Sequence, residues 1–245
     1  MSLAVEIAVQ DLEGVRIALG EGADRVELCS ALGVGGLTPS PGMIELAAAI
    51  ATAAGRPDFV NVLVRPRAGG FVYSGQEIEV VLRDIRQLRE LGAGGVVLGV
   101  LDDRGHVDVD TTAALVDAAG PMTVTFHRAI DVASRRGRAV EKLAGLGVHR
   151  LLTSGSAPRA IEGIAALREM VQAAAGRVQV MAGGGIDAED IPTLAAAGVD
   201  AVHLSARTTV TGPPSGPGGG HPSYDATDAK AVRAAVAAAR SIHST

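Results

Sequence analysis

Gly22-Ala23-Asp24-Arg25-Val26-Glu27-Leu28-Cys29 joins a helix stop to a short buried strand that ends in ionisable groups. A Gly at a helix C-terminus supplies the left-handed residue that ends the helix. The same device stands before other apolar runs, at Gly92-Ala93-Gly94, Gly147-Val148-His149 and Gly198-Val199-Asp200. Working outward, strands are predicted at Leu3–Val9, Arg25–Cys29, Phe59–Arg65, Gly95–Val100, Met122–His127, Arg150–Ser154, Val178–Ala182 and Ala201–Ser205. Helices are predicted at Asp11–Glu21, Pro41–Ala54, Gly75–Leu91, Asp108–Ala119, Ala133–Leu146, Pro158–Ala174, Asp187–Ala197 and Ala226–Ile242. Strict alternation of this kind requires parallel strands joined by crossover helices. About eight such units in roughly 250 residues fit a closed (β/α)8 TIM barrel. The α/β alternative is an open doubly wound sheet. No composition break divides the chain, so residues 1–245 read as one barrel domain.

Composition agrees. Hydrophobic residues make up 47% of the 245, but aromatics only 2%, so the core must be aliphatic. That suits parallel strands covered by Ala-rich helices. The net charge is −5 with no basic run, which argues against a nucleic-acid partner. No apolar run approaches the length of a membrane span and Met1 opens no signal-like segment, so a cytoplasmic protein with no membrane partner is expected. Gly212–Gly220 is rich in Gly and Pro and follows the eighth strand. It reads either as a spacer before the last helix or as a lid over the barrel mouth.

In such a barrel the active site lies at the C-terminal ends of the strands. Those ends carry Glu27 and Cys29, then Arg65 and Arg67, then His127, Arg128 and Asp131, then Thr153 and Ser154, then Gly183, Gly184 and Gly185, and last His203 and Ser205. Alternation along a strand puts Glu27 with Cys29, and His203 with Ser205, on one face. Glu6 in the first strand reads as an ion-pair member. Buried charged groups are costly unless paired or used, so the ring suggests a site. In the catalytic reading His127 and Glu27 are acid and base, with Asp131 or Arg128 orienting His127. Arg65, Arg67 and Gly183–Gly185 would hold a small anionic ligand, with donors from Thr153, Ser154 and Ser205. The alternative for the triple glycine is a tight turn followed by an Asp187 N-cap; its position in the barrel favours the anion site.

Several chemistries are excluded. Lys142 and Lys230, the only lysines, lie in helical segments, so a Schiff base inside the barrel is not available. Gly33-Val34-Gly35-Gly36 is not a dinucleotide fingerprint, and one cysteine cannot build a paired-cysteine zinc site.

These motifs resemble the copper homeostasis protein family called CutC, from about Val5 to Ser205. The likeness rests on Gly22–Cys29, Gly35-Gly36-Leu37-Thr38-Pro39-Ser40, Val64-Arg65-Pro66-Arg67 and Thr125-Phe126-His127-Arg128-Ala129-Ile130-Asp131. It continues through Leu152-Thr153-Ser154-Gly155, Met181-Ala182-Gly183-Gly184-Gly185 and His203-Leu204-Ser205. The resemblance implies a (β/α)8 barrel, a cytoplasmic homodimer and a role in copper handling. Two positions depart from the family pattern: Ala8, near which many members carry a cysteine, and Ile130, where Phe is usual. Cu(I) prefers thiolate and thioether ligands, whereas Cu(II) accepts imidazole and carboxylate. The metal expectation is therefore Cys29, with His127 and His203 as imidazole donors. Copper ion binding comes from the resemblance; the residues themselves favour chemistry on a bound anion.

Overall fold

The structure, a computed structural model, describes residues 3–213, 216–217 and 222–242. The chain runs β1 (Ala4–Val9), α1 (Leu12–Gly20), β2 (Arg25–Leu28), α2 (Pro41–Ala53), β3 (Val60–Leu63), α3 (Gly75–Glu90), β4 (Gly95–Leu98) and α4 (Val109–Ala119). It continues with β5 (Thr123–Phe126), α5 (Ala129–Val132), α6 (Arg136–Gly145), β6 (Arg150–Thr153), α7 (Ile164–Ala174), β7 (Gln179–Gly183), α8 (Ile191–Ala196) and β8 (Ala201–Leu204). A hairpin, β9 (Arg207–Thr211) and β10 (Ser223–Thr227), precedes α9 (Ala229–Ser241). Strands β1 to β8 close in sequence order into a parallel barrel, with β8 paired to β1. This is the expected (β/α)8 barrel; the open sheet is not formed.

The short polar caps explain where the helices start. Asp11 accepts from the Gly14 amide, Asp108 from the Thr111 amide, and Ser74 with Glu77 forms a reciprocal capping box on α3. The outward faces of the strands bury Val5, Ile7, Val26, Leu28, Val62, Val96 and Val124 against the helices. Inside the barrel the alternate residues form two small apolar groups, Cys29–Leu63–Val97 and Leu152–Met181–Ala201. The interior is otherwise polar, with Glu6, Asn61 and Thr125 fully buried and Arg25 nearly so.

Four predicted helices start elsewhere; α8 is one, beginning at Ile191 after a 3-10 turn at Ala188–Asp190 instead of at Asp187. The helix expected at Ala133–Leu146 is two: α5 begins directly after Arg128, and the chain breaks at Arg135, whose φ of 56° is left-handed. The segment after Pro158 first makes a 3-10 turn at Ala160–Gly163, so α7 starts only at Ile164. The last helix begins at Ala229 instead of Ala226, because residues 223–227 pair antiparallel with 207–211 and Asp228 caps the helix. Gly212, Pro213, Gly216 and Pro217 follow β9, but the rest of the stretch read as a spacer or lid (214–215 and 218–220) lies outside the described residues. No helix among the described residues is long and apolar enough to cross a membrane.

Candidate active site at the barrel mouth

A pocket of about 200 Å³ opens at the C-terminal ends of the strands. Its polar lining is Glu27, Arg65, His127, Arg128, His203 and Ser205, with Gly184 and Gly185 on one wall and Phe71 on another.

The floor is a chain of charges. Arg25 Nε donates to Glu6 Oε2 at 2.6 Å, Glu6 Oε1 lies 2.8 Å from His203 Nδ1, and His203 Nε2 lies 3.7 Å from Glu27 Oε2. Adjacent strands make this contact: Glu6 on β1 is in register with Arg25 on β2 and His203 on β8. Burial opposes ionisation of Glu6, but Arg25, His203 and Arg150 outweigh it and hold the carboxyl at about 2. Glu27 differs. Burial pushes it up to about 7, the nearby Glu6 charge adds to this, and His203 only partly offsets it. Burial works against the His203 imidazolium, yet the hydrogen bond to Glu6 and the charges of both glutamates raise its pKa. A carboxyl that titrates near neutrality beside a favoured imidazolium is a proton-transfer couple.

His127 is held neutral. Burial and the neighbouring Arg65 charge push its pKa down to about 3. The Ala129 amide donates to its Nδ1 at 3.2 Å, so the imidazole proton sits on Nε2. That Nε2 is buried and has no hydrogen-bond partner among the described residues. Gly99, just after the end of β4, makes room for the ring: a Cβ there would collide with His127 Nδ1 and Cε1.

The cationic side differs from expectation. Asp131 does not orient His127, and nor does Arg128. Arg128 Nε donates to Asp131 Oδ2 at 2.8 Å, and its Nη2 donates to Ser154 Oγ at 2.8 Å. Thr153 Oγ1 donates to Asp131 at 2.5 Å, and the Ser154 and Ser156 amides donate to it at 3.1 and 3.2 Å. The donors expected for a ligand anion, Thr153 and Ser154, are therefore occupied by Asp131. The result is an Arg128 guanidinium fixed at the pocket wall.

Arg65 also lines the pocket, but it spends its donors on backbone. Its Nη1 donates to the carbonyls of Val34 and Gly36, and its Nη2 to that of Gly69. The Tyr73 hydroxyl lies within reach of the guanidinium, and no salt bridge from Arg65 to a carboxylate is formed among the described residues. Arg67 does not reach the pocket. It pairs with Glu77, donates to the Ala68, Gly70 and Val72 carbonyls, and stacks on Tyr73, so it shapes the loop after β3.

Two residues of the glycine loop, Gly184 and Gly185, line the pocket. Gly183 ends β7, and the amides of Gly184 and Gly185 have no partner among the described residues. Gly184 adopts a φ of 124°, and a Cβ there would sit 3.2 Å from Ser154 and 3.3 Å from Arg128. The following helix adds nothing: α8 has six residues, and Asp187, Asp190 and Arg159 satisfy its start. Ser205 lines the rim, and its hydroxyl has no partner among the described residues.

The copper donors do not converge. Cys29 is buried, donates its thiol to the Val9 carbonyl at 3.6 Å, and packs behind Leu63, which lines the pocket while Cys29 does not. Burial and the Glu27 charge push its thiol far above the usual range, so it is held as a thiol, not as the thiolate that binds metal. His127 offers an N–H, not a lone pair. No group of three or more His, Cys, Asp or Glu able to hold a metal is present among the described residues. The residues present do not fit a copper ion.

Sequence reasoning missed Phe71 and the orienting role of Glu6. Phe71, one of only three phenylalanines, lies in an irregular loop with no periodicity to place it. Its ring sits 4.8 Å from that of His127 and 5.3 Å from the Arg65 guanidinium carbon.

Fold and site together define a (β/α)8 barrel protein with a polar, charged pocket at the strand C-termini. The chain belongs to the CutC family, whose family model matches residues 3–208. A CutC family protein of Glaesserella parasuis is 44% identical over 206 residues, covering 84% of this chain and 83% of the relative. One from Xanthomonas campestris is 40% identical over 242 residues, covering 96% and 98%. A crystal structure of a provisionally assigned copper homeostasis protein CutC from Streptococcus agalactiae superposes with a TM-score of 0.78 at 33% identity. That match covers 84% of this chain and 99% of the other.

Proposed function

We propose that this protein is an enzyme acting by acid/base catalysis on a small anionic metabolite, bearing phosphate or carboxylate, at the barrel mouth. The observation that carries the reading is Glu27, a buried pocket carboxyl raised to about 7 beside His203. Glu27 exchanges the proton, and His203, anchored by Glu6 and Arg25, stabilises the ionised carboxylate. Arg128, fixed by Asp131 and Ser154, faces the anion together with the Gly184 and Gly185 amides and the Ser205 hydroxyl. Arg65 contributes positive charge from beneath. His127 is a neutral donor, not the acid of the pair.

The second reading is copper handling, which rests on family membership and on the description of the Streptococcus relative. Against a thiolate site stand the neutral, buried Cys29 and the spent or protonated nitrogens of His127. Calorimetry distinguishes the two. Phosphoglycolate should bind the wild type and bind Arg128→Ala at least tenfold more weakly, while Cys29→Ala leaves any copper titration unchanged. No binding of phosphoglycolate, or loss of tight copper binding in Cys29→Ala, would reverse the choice.

A further inference from the structure

The proton couple and the neutral imidazole line the same small pocket, and together they narrow the reaction. We infer that the enzyme moves a proton at the carbon next to a carbonyl, with Glu27 as the base and the Nε2–H of His127 as donor to the carbonyl oxygen. The substrate class is a small carbonyl compound that also carries a phosphate or carboxylate. This rests on the anion reading above and adds the reacting bond.

The argument starts from the unpaired donor. A buried N–H without a partner is costly, and native proteins leave few of them. His127 is 5% exposed and its Nε2–H has no partner among the described residues, while Arg65, 7% exposed, lies close enough for its charge to act on it. Both pack on Phe71. An oxygen that gains negative charge during reaction would satisfy the imidazole donor, and the adjacent Arg65 charge would favour it. A neutral imidazole is the better matched donor here, because its N–H is retained while the oxygen carries charge. Gly99 just after β4, the Ala129 amide and the Phe71 ring hold the imidazole in one orientation.

The step balances without a co-reactant. The Glu27 carboxylate takes the proton, the C–H electron pair becomes the new C=C bond, and the carbonyl π pair moves onto oxygen, held by His127. Return of the proton from Glu27 to carbon restores the carbonyl and the enzyme. Arg128, anchored outside this exchange, holds the anionic end of the substrate.

The test compares two phosphate-bearing probes by calorimetry: phosphoglycolate, whose carboxylate adds a further negative charge, and phosphoglycolohydroxamate, which is neutral at that end and mimics the enolate. The wild type should bind the hydroxamate at least tenfold more tightly. His127→Phe should bind both equally, and His127→Gln, which keeps an N–H, should retain part of the preference. If His127→Phe does not fold, the ¹⁵N resonance of His127 Nε2 in the wild type reports the same contact, shifting with the hydroxamate and not with phosphoglycolate. Equal wild-type affinities, or a preference kept in His127→Phe, overturn the inference while leaving the anion reading intact. If neither probe binds, the anion reading falls and this inference falls with it.

Discussion

Replacing Glu27 with Gln should make the protein more stable at pH 8 and change little at pH 5. Glu27 is 7% exposed, and its carboxyl is pushed from 4.5 up to about 7. Native protein therefore holds a proton that unfolded chain has released between those values. The contribution is fully present below pH 4.5 and is lost as the pH rises through 7. A carboxyl so placed costs the native state about 3 kcal/mol once ionised, at about 1.4 kcal/mol for each pH unit of displacement. Gln keeps the shape and drops the charge, so Glu27→Gln should gain up to about 3 kcal/mol over wild type at pH 8. Coupling to His203 lowers this, because Gln also withdraws an anion from the imidazolium. Urea denaturation of both proteins at pH 5, 6, 7 and 8 measures the difference. His127 and other titrating groups are common to both proteins, so most of their contribution cancels. Parallel pH profiles for the two proteins, or a less stable variant at pH 8, would refute the reasoning.

Three further outcomes follow from the geometry. Asp131→Asn should cost about 2–3 kcal/mol in urea denaturation, because an amide NH2 would face the Ser154 amide and Arg128 Nε; the partly exposed ion pair itself adds little. A stability equal to wild type would contradict the Asp131 cradle. The Cys29 thiol should stay unmodified by a disulfide reagent in native protein at pH 8 and react at once in urea, whereas fast native labelling would contradict its burial. Gly184→Ala forces a side chain into a φ of 124° against Ser154 and Arg128, at about 1–3 kcal/mol. It should weaken phosphoglycolate binding at least tenfold by calorimetry, and unchanged binding would remove Gly184 from the anion wall.

Much of the barrel was legible because its signals are local. Each Gly stop and the aliphatic run after it, as in Gly22–Leu28, specifies a turn and a strand without knowledge of the rest. The hairpin β9–β10 was not legible: Arg207–Thr211 is polar and its partner lies beyond a Gly/Pro-rich segment. At the site, alternation put Glu27, His127, His203 and Ser205 on the inner face, since a period of two survives closure of the barrel. What alternation could not say is which donors are already used. Arg65 and Arg67 look alike in Val64-Arg65-Pro66-Arg67. Yet one sits beneath Phe71 in the pocket and the other turns away to Glu77. Thr153 and Ser154 likewise read as ligand donors until Asp131, more than twenty residues away, is seen to fill them. Side-chain partners across loops are set by tertiary packing, and no spacing rule encodes them.

The most direct test of the central claim is a crystal structure of the protein grown with phosphoglycolate and a copper salt together. The account predicts anion oxygens on Arg128 and the Gly184 and Gly185 amides, with the organic end directed to Glu27 and no metal on Cys29. A copper ion ligated by Cys29, with the mouth free of the anion, would contradict it.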